Sequence, residues 1–292
     1  MKEQVKKYDL KEGIEPEYRS MRWFRIMRVI LSILLAVIIC LSCTLLEIVV
    51  LKIQVLGRLN GSASDNDKIR IYIDQGHNPS PHHNNGAEGN GLYEQDVTFS
   101  IGCMLAEILE KDGRFEVRLS RPEESTVLGT DNVSSLAARV EGAADFEADY
   151  FISLHINAYT QESVNGLEVF ASDNDVESYS FGGSLLQGML GSTNLKNRGV
   201  KSGSELYVLK NATMPAVLLE MGFISNAEDA ALLSQQPELF AEGIYDGIVD
   251  HFESAYSLDI SILLWMLGIS VSLVIAFEIA IFAKLKRLKN KK

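Results

Sequence analysis

The side chains best suited to chemistry in this 292-residue chain are concentrated in a few places. Three of its five histidines, His77, His82 and His83, fall within seven positions of the stretch IYIDQGHNPSPHHNNGAEGNGLYEQD, which also carries Glu94. A fourth, His155, stands near the end of the apolar run YFISLHI, and Glu220 closes another, AVLLE. Imidazole nitrogens and carboxylate oxygens are the usual donors to zinc. A catalytic zinc centre needs three protein ligands, an open position and a nearby acid or base. Two histidines and two glutamates meet that requirement if the fold brings them together.

The elements around these residues give a reason for convergence. IRIYID, FEVRLS, DYFISLHI, GLEVFA, ELYVL and AVLLE read as strands. YEQDVTFSIGCMLAEILEKDG, SSLAARVEGAADFEA, a segment around Phe181 to Leu190, and residues 237–256 read as helices. Strands alternating with helices, several of them continuously apolar, predict an α/β domain with a mixed, largely parallel sheet of about six strands flanked by helices. In such sheets ligands bind beyond the carboxyl ends of the strands, where His77, His155 and Glu220 would all lie. Glu94 falls three residues before Val97 on the stripe Val97, Ile101, Leu105 and Ile108, so it is expected on the inward face of its helix. A buried carboxylate without a partner is costly, which again points to a cation.

Other residues read more plainly. His82 and His83 sit on a loop rich in Pro and Asn that cannot fix a ligand angle unaided, so they are expected to be solvated or to touch substrate. Arg121, after FEVRLS, and Asn157, two residues past His155, are candidate substrate contacts. His251 and Cys103 lie in helices and are expected to be structural. The glycines at 86, 89 and 91 follow a loop and form no dinucleotide fingerprint, and there is no phosphate-binding loop.

The hydrophobic content of 47% is unevenly spread. VILSILLAVIICLSCTLL, from Val29, and ISILLWMLGISVSLVIAF, from Ile260, hold 18 residues each and no charge. A helix of that length covers about 27 Å, close to the hydrocarbon thickness of a bilayer. The first run continues past Glu47 into IVVLK with no small-residue cleavage site, so an uncleaved anchor is expected in place of a signal peptide. Eight basic residues precede the first run and six follow the second, which places both termini in the cytoplasm and the intervening segment outside. The expected organisation is a cytoplasmic segment 1–28, a transmembrane helix 29–51, a linker 52–67, an extracytoplasmic domain 68–256, a second transmembrane helix 258–283 and a basic cytoplasmic tail 284–292. Between the spans, 13 basic residues face 32 acidic ones, a net charge of −19 that argues against nucleic acid as a partner. Cys103 is alone there, so no disulfide is expected within the domain.

IDQGHNP, EGNGLYEQDVTFSIG, YFISLHINA and MPAVLLEMGFISNAEDAALL together resemble the zinc-dependent N-acetylmuramoyl-L-alanine amidases of bacterial cell walls, those with the amidase type 3 catalytic domain. The four motifs stand in the family's order from about Ile69 to Ser254. The resemblance implies Zn2+ held by His77, Glu94 and His155, with Glu220 as the catalytic glutamate. It implies peptidoglycan as substrate, cut at the amide between N-acetylmuramic acid and L-alanine; together with the two apolar runs, the expectation is an enzyme tethered to the outer face of a bacterial, Gram-positive cell membrane. A membrane-embedded regulatory partner is a further expectation. Two departures stand out: Gln75 replaces the proline usual before the glycine of the first motif, and the loop from Asn78 to Gly91 is long. Two other classes fit the same residues, a non-catalytic peptidoglycan-binding or scaffold protein on this fold and a zinc peptidase acting on stem peptides.

Overall fold

The computed structural model describes residues 68–256 apart from residue 174, the helix 260–289, and isolated helical residues between 25 and 47. The chain divides into two compact units, Gln54–Ser257 and the combination of Met1–Ile53 with Leu258–Lys292.

In the first unit six strands form one sheet in the order β4-β1-β5-β8-β6-β7. These are β1 Ile69–Gln75, β4 Phe115–Leu119, β5 Tyr150–Asn157, β6 Leu167–Ala171, β7 Asn197–Ser202 and β8 Ala216–Phe223. β4, β1, β5 and β8 run parallel, and β6 turns antiparallel to β8 with β7 parallel to it. The sheet is therefore mostly parallel, as expected. A two-stranded ribbon, β2 Glu88–Gly89 and β3 Leu92–Tyr93, precedes the first helix.

Alternation along the central strands feeds two cores, because successive side chains leave a strand on opposite faces. Ile71, Ile73, Ile152, Leu154, Val217 and Leu219 pack under α1 (Glu94–Asp112), α3 (Val176–Thr193) and α6 (Pro237–Tyr256). Tyr72, Phe151 and Leu218 pack under α2 (Asn132–Asp145) and α4 (Tyr207–Asn211). α3 and α6 meet nearly backbone to backbone. A Cβ on Gly247 would lie 2.6 Å from Leu185 Cα, so only glycine permits the approach.

Three elements differ from expectation. ELYVL is not a strand: α4 begins within it, and the neighbours Val208 and Leu209 are both buried, which a strand of period two cannot do facing one core. The sixth strand is instead NRGVKS, a polar edge strand whose glycine and charges hide it from pattern reading. α5 (Ala227–Gln235) is an additional short helix, started by the Asn226 side chain accepting from the Glu228 and Asp229 amides.

In the second unit α7 runs Ile260–Lys289, 30 residues. Counting only residues that are described, no helix is long and apolar enough to cross a membrane. Most of the segment 1–28 and of the expected span 29–51, the linker 52–67, and residues 290–292 of the tail lie outside the described residues.

Candidate metal centre

His77 stands two residues beyond β1 with φ at 70°, a left-handed conformation that an L side chain adopts only when its surroundings impose it. Those surroundings are a buried ion pair. Arg139, on α2, bonds Asp74 through Nη1, which also donates to the Gln75 carbonyl at 2.9 Å, and its Nη2 donates to the His77 carbonyl at 2.6 Å. Ser153 Oγ donates to the other oxygen of Asp74 at 2.7 Å. Burial would raise the Asp74 carboxyl, but Arg139 and Ser153 outweigh it and hold it below the usual range. Gly76 is equally constrained, since a Cβ there would lie 2.6 Å from His155 Cε1.

Glu94 is the first residue of α1, where the helix dipole favours a carboxylate. Its Oε2 accepts from the Ala87 amide at 2.8 Å and its Oε1 from the Ile156 amide at 3.0 Å. Both histidines close on that Oε1: His77 Nε2 and His155 Nδ1 each lie 3.0 Å away. The three ligand atoms lie within 4.8 Å of one another. A tetrahedral zinc ion with bonds of about 2.0–2.2 Å sets neighbouring ligand atoms about 3.3 Å apart, so this spacing suits zinc. His77 Nδ1 faces the Asn84 carbonyl at 3.2 Å. A carbonyl only accepts, so that contact puts the proton on Nδ1 and leaves Nε2 for a metal. Burial raises the Glu94 carboxyl, yet His155 and His77 beside it prevail and hold it far below the ordinary range. The carboxylate is charged and aimed at two nitrogens, which is the donor set a divalent cation requires.

Glu220 extends this row. It is the β8 partner of His155 on β5 and of Glu168 on β6, so the three side chains leave the sheet on the same face. Among the described residues its buried Oε2 has no hydrogen-bond partner. Burial pushes the Glu220 carboxyl well above its ordinary value, and the charges of Glu94 and Glu168 add to the rise. A carboxyl in that setting is suited to exchanging protons with a bound molecule.

The structure thus brings His77, Glu94, His155 and Glu220 to one edge. Apart from Asn157, it places the remaining candidates elsewhere. Arg121 is fully buried, with Nη1 donating to the Gln95 carbonyl at 2.9 Å and Nη2 to the Glu124 carbonyl at 2.8 Å. It therefore braces the start of α1 and is not open to a substrate. Asn157 is half-buried at the edge and donates to Glu168 Oε1 at 2.8 Å. His83 is half-buried, with its Nε2 3.0 Å from the Leu128 carbonyl and 3.2 Å from Asn78 Nδ2, which ties the loop down, while His82 is exposed. His251 is buried, with Nε2 2.8 Å from Glu177 Oε1. Cys103 lies in α1 with Gln75 Nε2 3.7 Å from its sulfur. Asp74, Arg139 and Glu168 were missed by the sequence reading, although Asp74 and Glu168 show the same signal as Glu220, an acid within an apolar strand.

Residues 71–250 match the model of a family described as N-acetylmuramoyl-L-alanine amidase. The chain is 34% identical over 186 residues to the N-acetylmuramoyl-L-alanine amidase LytC of Bacillus subtilis, covering 62% of this chain and 35% of that longer protein. Among solved structures it resembles the CwlD amidase of Clostridioides difficile in complex with the GerS lipoprotein, with a TM-score of 0.59, 27% identity, and coverage of 64% of this chain and all of that one. It also resembles the N-acetylmuramoyl-L-alanine amidase AmiC2 of Nostoc punctiforme, with a TM-score of 0.56, 31% identity, and coverage of 63% and 97%.

Proposed function

Because the chain belongs to the N-acetylmuramoyl-L-alanine amidase family, we propose that it hydrolyses peptidoglycan at the amide between N-acetylmuramic acid and L-alanine, using one zinc ion. The observation that carries this reading is the meeting of His77 Nε2 and His155 Nδ1 on Glu94 Oε1, each at 3.0 Å, beside the unpartnered buried oxygen of Glu220. His77, Glu94 and His155 would hold the ion. When bound, zinc supplies an acidified water, with a pKa near about 7, and Lewis-acid polarisation of the scissile carbonyl. Glu220 takes the proton of the attacking water and returns it to the leaving nitrogen of L-alanine, its raised proton affinity serving the second step. Asp74 and Arg139 keep His77 in its left-handed conformation throughout.

The proposal includes the membrane. Two uncharged 18-residue runs with basic flanks support an anchor on each side of the domain, both termini cytoplasmic and the zinc site outside the cell membrane. The lipoprotein complex of the Clostridioides difficile relative supports, by analogy, a membrane-associated regulatory partner.

The test uses the full chain in detergent micelles. Elemental analysis of wild type gives about one zinc per chain, and the His77→Ala, His155→Ala double variant loses it; wild-type zinc in that variant overturns the ligand assignment. Peptidoglycan digested by the zinc-loaded protein and read by mass spectrometry yields free stem peptides that begin with L-alanine. Products from another bond would replace the amidase reading with that of a peptidase.

A further inference from the structure

Arg198 and Lys201 stand on the edge strand β7, and both reach Glu168 on β6. In a regular strand, residues three apart point to opposite faces. β7 is irregular here: its register against β6 shifts between Leu167 and Val169, and Gly199 sits at φ 86°. A bulge of this kind re-aims side chains. It brings Arg198 Nε to 2.7 Å from Glu168 Oε2 while Lys201 Nζ bonds the same oxygen. The other oxygen of Glu168 accepts from Asn157. Two cations share one carboxylate, so one positive charge remains, in a segment whose net charge is −19.

The two cations differ in freedom. Arg198 lies over the Phe223 ring at 4.9 Å and spends a second donor on the Asn165 carbonyl at 3.4 Å. Lys201 Nζ also lies over a ring, that of Phe170 at 5.7 Å, but among the described residues it uses only one of its three donors, on Glu168, and its side chain is 40% exposed. Its place is set by the cross-strand row, in which Glu168 neighbours Glu220 and Glu220 neighbours His155. With strands about 4.8 Å apart, Glu168 is roughly 10 Å from the strand of His155.

We infer that Lys201, held by Glu168 and supported by Arg198, recognises the α-carboxylate of the second stem-peptide residue, and so selects stems in which that group is free over stems in which it is a carboxamide. The inference rests on the amidase reading above. In peptidoglycan the second residue is joined onward through its side chain, leaving its α-carboxyl group free or amidated. Counted along the chain, that group lies about 7 Å from the scissile carbonyl, given a step of about 3.8 Å between consecutive Cα atoms. Lys201 stands on β7, two strands beyond Glu220, but its Nζ reaches back to Glu168, one strand beyond Glu220, and there it meets that group.

The experiment compares two muramoyl tripeptides that differ only in carboxylate against carboxamide at the second residue, with the zinc-loaded full chain in detergent. Wild type favours the carboxylate by about tenfold in kcat/KM, expressed in KM, as expected for a hydrogen bond to a charged group. Lys201→Met brings the ratio to about one at unchanged zinc content, and Lys201→Arg restores most of the preference. A ratio near one in wild type, or the wild-type ratio retained in Lys201→Met, overturns the inference. Failure of wild type to cut either substrate would instead overturn the amidase reading itself.

Discussion

Glu220 carries the division of labour within the site. The other acids of the site have fixed partners, Glu94 between two histidines and Glu168 between two cations, whereas among the described residues its own buried Oε2 has none. An acid left unsatisfied in that position is a cost to folding that function explains. Glu220→Gln keeps the shape and cannot carry a proton, so turnover should fall by about 10² to 10⁴ while zinc content holds at one per chain. Elemental analysis and release of stem peptides measure the two; near-normal turnover would transfer the proton role to another residue. At this scale the sequence exposed His155 and Glu220, which interrupt apolar strands, but not Asp74 and Glu168, which do the same. It offers Arg121 as a substrate contact in error, because an arginine after a strand looks the same whether its guanidinium faces water or two buried carbonyls.

Between elements, the contact that matters most for the site joins α2 to the end of β1. Arg139 and Asp74 are 1% and 0% exposed, and the same guanidinium holds the His77 carbonyl. Breaking a buried pair from one side leaves an uncompensated charge, so Arg139→Met should cost about 3–5 kcal/mol in urea unfolding monitored on the domain and weaken zinc binding by releasing His77. Loss of less than about 1 kcal/mol would show that the pair is dispensable. The pH dependence has a definite sign. The folded carboxyl of Asp74 is held below the unfolded value of about 3.9, so its contribution is complete above that pH and disappears as pH falls through the folded value. Wild type should lose stability below about pH 4 more steeply than Arg139→Met.

Across the whole molecule, the proposed anchors set how far the site can work from the membrane. The linker preceding the domain has about 15 residues and could extend to roughly 50 Å, whereas three residues, 257–259, separate α6 from α7. The shorter connection governs the range. Full-length protein should therefore cut wall close to the membrane surface, and the segment 54–257 released from both anchors should cut throughout it. Labelled cleavage sites mapped in cells at matched activity distinguish the two; identical distributions would remove tethering as the determinant.

Composition and pattern determined much in advance. The parallel sheet is legible because strands covered on both faces are apolar throughout. The same logic exposed His77, Glu94, His155 and Glu220, since polar groups at the ends of such runs need a reason to be there. What the tertiary structure alone decided is what depends on long-range partners. NRGVKS became a strand through its pairing with β6, and ELYVL became helical because Val208 and Leu209 share one core. The convergence of Arg198 and Lys201 on Glu168 needed a bulge that no local pattern encodes, and the strained backbone of His77 needed an arginine 62 residues away. Periodicity reports which face of an element is buried; it carries no information about which other element covers it.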